Sequence, residues 1–263
     1  MTVTPHDLAR IALQAGVVIM EIYESDFDVS HKDDKSPVTE ADQKAETIIL
    51  AELAKVEPDL KVIAEESVSD GHIPEHSTRF ALVDPVDGTR EFINKRGEFT
   101  VNIAIIEHGK PVMGVVFAPA LKRLFVAESP FTGWQASVAA GEAVPAPDQR
   151  QSLTIRKAPA SGLTAIASAS HRSAETNAFL ETQNIAEIVS AGSSLKFCLI
   201  AAGEADLYPR HGRTMEWDTA AGHAVAQAAG ARVTNLDGSA FTYGKTERGY
   251  DNPHFIVWGD CSP

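Results

Sequence analysis

Phe80-Ala-Leu-Val-Asp-Pro-Val-Asp-Gly-Thr89 sets the frame for the whole chain. Phe80 to Val83 is an apolar run that predicts a buried strand. The strand is expected to stop at Asp84-Pro85, because proline ends ladder pairing. Asp84 and Asp87, three residues apart, are then pinned in a turn. Gly88 permits a tight backbone there, and a helix is expected from Thr89. Two carboxylates on one rigid turn can share hard divalent cations, and amides at a helix start can cradle an anion. The Val86 carbonyl, locked between Pro85 and Asp87, faces the same point.

Upstream, Thr4-Pro5 is a helix start, with threonine as cap and proline at the first helical position. Leu8, Ile11, Ala12, Ala15, Val18, Ile19 and Ile22 recur at helical spacing, and the helix is expected to end near Ser25. Ser30 to Pro37 is polar and reads as a loop. A second helix is expected from Ala41 to Val56, with Ile48, Ile49, Leu50 and Leu53 buried. Leu60 to Ile63 reads as a short strand leading into Glu65-Glu66. Downstream, Val101–Ile106 and Val112–Phe117 flank Glu107-His-Gly-Lys110 and form a hairpin pattern. Leu124 to Ala127 adds a strand.

From Ser137 to Pro159 the composition shifts to Ala, Pro, Gly and Gln, which places a boundary near residue 150. Two subdomains are expected, 1–150 with most of the acidic site and 151–263 with the rest. The second half alternates: strands at Thr164–Ser168, Ile185–Val189 and Ala205–Tyr208, and helices at Glu175–Thr182, Leu195–Ala202 and Asp218–Ala229. Arg232–Thr234 and Phe255–Trp258 close it. Alternation of this kind predicts a layered α/β (mixed α+β) fold.

The chain has 263 residues and a net charge of −13. So acidic a protein lacks the basic footprint that binding a nucleic-acid polymer needs. A phosphorylated small molecule stays open, since a metal can supply positive charge. Two cysteines, Cys198 and Cys261, exclude a disulfide scaffold and fit a reducing compartment. No apolar run approaches the ~20 residues of a membrane span. His6, Asp7 and Arg10 fall where a secretory signal would have its apolar core. A cytoplasmic protein, monomer or homodimer, is expected, with peripheral contact to the inner membrane left open.

Other acidic residues can join the turn. Glu65 ends a strand, Asp42 lies in Ser36-Pro-Val-Thr-Glu-Ala-Asp42, and Asp218 opens the helix of Trp217-Asp-Thr-Ala-Ala-Gly222. Taken singly, Glu-Glu is a solvated face and an Asp at a helix start is a cap. Together they pose a problem of repulsion: two like charges ~4 Å apart cost about 4 kcal/mol at an effective dielectric of 20. Either cations lie between them or some are protonated. An all-oxygen set points to magnesium or manganese.

The four segments Ser36–Asp42, Ala64–Glu66, Asp84–Thr89 and Trp217–Gly222 resemble, in order and spacing, the magnesium-dependent, lithium-sensitive phosphatases of the inositol monophosphatase superfamily. Within it, Arg90 to Asn102, Gly192-Ser-Ser-Leu-Lys-Phe-Cys198 and Leu207-Tyr-Pro-Arg210 are similar to the 3′(2′),5′-bisphosphate nucleotidase branch. The resemblance implies an α-β-α-β-α sandwich of the inositol monophosphatase and fructose-1,6-bisphosphatase type. It implies a phosphatase that hydrolyses the 3′-phosphate of adenosine 3′,5′-bisphosphate, or of its sulfated precursor, with two or three Mg2+ ions, Mn2+ being a substitute. Glu65, Asp84, Asp87, Asp218 and the Val86 carbonyl match the family's metal ligands, and Asp42 with Thr89 its water-activating pair. Gly88 and Thr89 match the amides that hold the phosphate. Glu65, Val86, Asp87 and Asp218 also border the substrate. His171, Ser193, Lys196 and Arg210 match nucleotide contacts. Two departures stand out: Ala64 replaces a frequent glycine, and Gln227-Ala-Ala-Gly230 replaces Glu-Ala-Gly-Gly. An inositol or sugar phosphatase would share every metal ligand, and a non-catalytic phosphate sensor could share the scaffold. Trp217 is read as core packing rather than a base-stacking platform.

Overall fold

Thr4 caps the first helix in the computed structural model, which describes residues 2–25, 29–31, 37–75, 77–167 and 173–261. Helix α1 (Pro5–Tyr23) starts with a reciprocal cap between Thr4 and Asp7 and buries Leu8, Ile11, Ala12, Ala15, Ile19 and Ile22. The two ends of the segment expected to be a loop, Ser30-His31 and Pro37, pair instead. Strands β1 (Val29–His31) and β2 (Pro37–Thr39) form an antiparallel ribbon, the residues between them lying outside those described. Helix α2 (Glu40–Val56) follows at once and packs along α1. It buries Ala41, Ala45, Ile49 and Leu53, one row at four-residue spacing, while Ile48 and Leu50 flank that row half-buried.

Seven strands form the first sheet in chain order: β3 (Lys61–Ala64), β4 (Arg79–Asp87), β5 (Thr100–Glu107), β6 (Lys110–Ala118), β7 (Arg123–Ser129), β8 (Thr132–Ser137) and β9 (Gln151–Ser152). Only β3 and β4 are parallel. Short helices α3 (Glu65–Ser69) and α4 (Thr89–Ile93) follow β3 and β4. Strand β4 does not stop at Asp84-Pro85, as expected, but continues to Asp87. Asp84 lies opposite Asn102 and Asp87 opposite Thr100, so β4 carries one more residue than β5 over this span. Pro85 sits in that bulge, where a missing N–H is tolerated. The β5–β6 hairpin turns on His108 and Gly109, both left-handed with φ of 49° and 74°, the conformation of a primed two-residue turn. Strands β8 and β9 were not anticipated: Thr132-Gly-Trp-Gln-Ala-Ser137 alternates too weakly to read as a strand.

Both faces of this sheet are covered, which explains its nearly unbroken apolar runs. Ala81, Val83, Ile103, Ile105, Val115 and Phe117 join the core under α1 and α2. Phe80, Leu82, Ala104, Ile106, Val116 and Phe125 join a second core on the opposite side. That core is shared with α6 (Leu195–Ala201) and α7 (Glu216–Ala228). Beyond them lies a five-stranded sheet of β10 (Leu163–Ile166), β11 (Ile185–Val189), β12 (Leu207–Arg210), β13 (Arg232–Asn235) and β14 (Phe255–Trp258), in the order β11-β10-β12-β14-β13. Strand β12 is displaced two residues from the expected Ala205–Tyr208. Helix α5 (Ala174–Glu181) contacts β12, and its Leu180 belongs to the third, outer core. The layers therefore run α-β-α-β-α.

Helix α7 sits close to the first sheet because small residues meet there. A Cβ on Gly114 of β6 would stand 3.0 Å from the Ala224 Cβ; on the side facing α6, one on Gly222 would stand 2.6 Å from Phe197 Cδ2. Trp217, 5% exposed, is core. Ala64 is extended, with φ of −122°, so alanine replaces glycine without backbone strain. A helical Gly→Ala change gains about 1 kcal/mol of propensity, but overpacking costs about 1–3 kcal/mol, and the buried Phe197 ring cannot retreat. Gly222→Ala is expected to lower stability by about 1 kcal/mol net. Thermal unfolding should show this as a Tm decrease of roughly 2–4 °C.

Candidate active site

Three segments deliver the central carboxylates. Glu65 opens α3 after β3, Asp84 stands in the β4 bulge, and Asp218 lies in the first turn of α7. Each offers an oxygen within 4.8 Å of the others. Two of them have a local anchor. Asp84 Oδ1 accepts the Val86 amide at 3.1 Å, and Asp218 Oδ2 accepts the Met215 amide at 2.7 Å, capping α7. Burial, then the Glu65 and Asp87 charges, holds the Asp84 carboxyl well above the usual carboxylate range. Burial and the Asp87 charge push Asp218 up to about 8. Burial also raises Asp87, to about 6, against the pull of Lys196. An all-oxygen set whose anionic forms are this unfavourable fits a hard divalent cation.

Asp87 has its own cage. Its Oδ2 accepts the Ser194 amide at 2.7 Å and Asn102 Nδ2 at 3.2 Å. Asn102 also donates to Ser194 Oγ at 3.0 Å, and Ser194 Oγ donates to the Asp218 carbonyl at 2.7 Å. Thr100 donates to Asn102 Oδ1 at 3.0 Å. Thus β5 ties the acidic turn to α7 through one buried polar network. Neither Asn102 nor Ser194 was singled out as a site residue. The signal lay in Thr100-Val-Asn102, polar residues on one face of a strand buried on both.

Asp42 occupies the third position of α2. Its Oδ2 accepts the Thr39 amide at 2.9 Å and the Thr39 hydroxyl at 2.7 Å, forming a capping box. Its Oδ1 faces Thr89 Oγ1 at 3.4 Å, which also lies 3.3 Å from the Val86 carbonyl. Gly88 caps α4 in the left-handed conformation, φ 89°, with the Ser193 Cβ 3.2 Å from where its own Cβ would be.

Glu65, Asp87, Gly88, Thr89, Ser193, Lys196, Arg210 and Asp218 all border one cleft of about 280 Å³. Asp42, Asp84 and Val86 are buried beside it. Lys196 donates to the Ser193 carbonyl at 2.9 Å and lies over the Tyr208 ring. Burial lowers its ammonium to about 8, with Asp87 opposing. Arg210 Nη2 donates to the Arg213 carbonyl, while its buried Nε has no partner among the described residues. Ser193 is left-handed at φ 44°, which turns the Ser194 amide toward Asp87. His171 lies outside the described residues.

Residues 2–255 match the inositol monophosphatase family. The chain is 42% identical over 252 residues to the 3′(2′),5′-bisphosphate nucleotidase CysQ of Escherichia coli K12, covering 95% of this chain and 97% of that protein. The Haemophilus influenzae protein of that name is 31% identical, over 96% of this chain and 91% of its own. Among solved structures, CysQ from Bacteroides thetaiotaomicron superposes with a TM-score of 0.82 at 37% identity, covering 98% of this chain and 97% of that one. The Thermotoga maritima IMPase follows at 26% identity and a TM-score of 0.71, covering 96% of this chain and 90% of that one.

The raised carboxyls set a pH dependence. Their folded pKa values exceed the unfolded ones, so the folded state keeps protons that the unfolded chain has released. In chelator, stability is therefore expected to fall as pH rises from about 4 toward 8. Magnesium or manganese at one hundred times its dissociation constant should restore about 3 kcal/mol, a Tm gain of roughly 5–10 °C. Asp84→Asn should blunt both effects in calorimetry. A wild-type Tm indifferent to metal at pH 8 would exclude the cation site.

Proposed function

The chain belongs to the inositol monophosphatase family, and we propose that it is a 3′(2′),5′-bisphosphate nucleotidase that hydrolyses adenosine 3′,5′-bisphosphate to AMP and phosphate. The observation that carries this reading is that one cleft is bordered both by clustered carboxylates and by two buried-side cations, Lys196 and Arg210. A monophosphate engages the carboxylate end alone. A bisphosphate has a second anion for the cationic end, where the Arg210 Nε is without a partner among the described residues and its fork suits phosphate.

Glu65, Asp84, Asp87, Asp218 and the Val86 carbonyl would hold Mg2+, as two or three ions, with Mn2+ as substitute. When bound, the metal neutralises the phosphate and lowers the pKa of a coordinated water. The Gly88 and Thr89 amides orient the scissile phosphate. Thr89 Oγ1 holds the attacking water and relays its proton to Asp42 Oδ1, the oxygen that faces it across 3.4 Å. The other Asp42 oxygen is engaged by Thr39, which fixes the carboxylate's orientation. Water oxygen bonds to phosphorus in line, the bond to the ribose 3′-oxygen breaks, that oxygen takes up a proton from solvent water, and Asp42 returns its own proton to solvent. No phospho-enzyme forms. Asn102 and Ser194 keep Asp87 aligned throughout.

Further parts of this reading rest on the family resemblance. Lithium would inhibit by displacing a magnesium, and the substrate ties the enzyme to sulfur metabolism. The subdomain division near residue 150 rests instead on the composition shift between Ser137 and Pro159, and a cytoplasmic location on the low cysteine content. No described helix is long and apolar enough to cross a membrane.

Phosphate release with magnesium, measured side by side on adenosine 3′,5′-bisphosphate and inositol 1-phosphate, should favour the nucleotide strongly. Asp87→Asn is expected to abolish turnover in a folded protein. Lys196→Met should raise the nucleotide KM about 10- to 100-fold, the worth of one charged hydrogen bond, with a smaller effect on kcat. In the wild type the affinity gain from Lys196 should fade as pH rises through about 8, whereas Lys196→Arg stays charged and should not show that loss. A preference for inositol phosphate would retain the metal chemistry and discard the nucleotide pocket.

A further inference from the structure

Glu46 lies outside every motif discussed above, yet it is only 4% exposed. It sits on α2 one turn after Asp42, on the same face. Helix α3, which Glu65 opens, has no cap of its own, because Ala64 stands at its N-cap position. The orphan amides of a helix start need acceptors, and Glu46 supplies them from another helix. Its Oε2 accepts the Glu66 amide at 2.8 Å, and its Oε1 accepts the Ser67 amide at 2.8 Å and the Ser67 hydroxyl at 2.6 Å.

We propose that Glu46 is a positioning residue that clamps the start of α3 and thereby sets the Glu65 carboxylate against Asp84 and Asp218, tuning affinity for the divalent cation. The proposal rests on the reading of Glu65 as a metal ligand. A five-residue helix has little stability of its own, so the direction in which Glu65 leaves the backbone depends on what grips the two residues after it. Three charge-assisted bonds from one buried carboxylate are a firm grip. Both oxygens must accept, so glutamine fails although it has the right shape: its NH2 would face amide N–H groups. Because Asp42 and Glu46 share one face of α2, a single rigid helix fixes the distance between the water-activating carboxylate and the first metal-binding segment. Partners behind metal ligands typically change affinity 10- to 100-fold when removed.

The test is Mn2+ binding to metal-free protein, followed by electron paramagnetic resonance, with thermal unfolding run in parallel. Wild type should bind, and Glu65→Gln should bind far more weakly. Glu46→Gln is expected to weaken binding about 10- to 100-fold, and Ser67→Ala, which removes one of the three bonds, by a smaller factor. Leu180→Ala, a buried change in the outer α5 layer, should lower the Tm and leave Mn2+ affinity intact. Wild-type affinity in folded Glu46→Gln overturns the proposal, as does equal weakening in Leu180→Ala. Should Glu46→Gln not fold, Ser67→Ala decides, and wild-type affinity there overturns it. Equal binding by wild type and Glu65→Gln would instead remove the ligand reading of Glu65, and the proposal with it.

Discussion

Crowded carboxylates that repel one another, Asp84 buried and Glu65, Asp87 and Asp218 half-buried, are the constraint around which this protein is organised. Asp84, Asp87 and Asp218 are drawn out of water and placed beside Glu65, so each holds its proton more tightly than an exposed acid would. A fold that tolerates this must resist the pressure from several directions at once. Strand β4 is paired on both sides, α7 is seated on small residues of the first sheet, and α3 is gripped from α2. The repulsion is also the source of function, because a site this unfavourable for bare anions is favourable for a cation.

Helix capping turns out to be part of the same design. Asp42 and Asp218 are each the third residue of a helix, and each spends one oxygen on the backbone amide of its N-cap residue. The remaining oxygen is thereby aimed: toward Thr89 for Asp42, and for Asp218 the carboxylate joins the cluster with Glu65 and Asp84. A cap and a functional carboxylate are often weighed as rival readings of an acid at a helix start. Here the cap is what orients the functional group.

Much of the architecture was legible in the sequence because it depends on local signals. Thr4-Pro5 starts α1, the apolar runs at Val101–Ile106 and Val112–Phe117 are strands, and the alternation after residue 160 is the second sheet with its helices. The acidic residues of the site were legible for a related reason: each lies at the end of a strand, at the start of a helix or, for Asp84, beside the proline that marks the β4 bulge. What escaped was non-local. Proline predicts the end of β4 unless one knows that β5 accommodates a bulge. The β1–β2 ribbon and the short strands β8 and β9 exist through their partners rather than their own patterns. Asn102, Ser194 and Glu46 act through hydrogen bonds that span 15 or more positions, and no local spacing marks them.

The order of the second sheet has a consequence for how the protein is made. Strand β14 lies between β12 and β13 and is antiparallel to both, so β13 is joined to the rest of that sheet only through it. It is also the last of the described strands along the chain. While the chain is being synthesised, the first sheet can pair strand by strand as each emerges. The second sheet stays in two pieces until Phe255–Trp258 arrives, and β12, which ends in Arg210, has an open edge. The first sheet is complete by Ser152, whereas the second becomes one sheet only with Phe255–Trp258 in place.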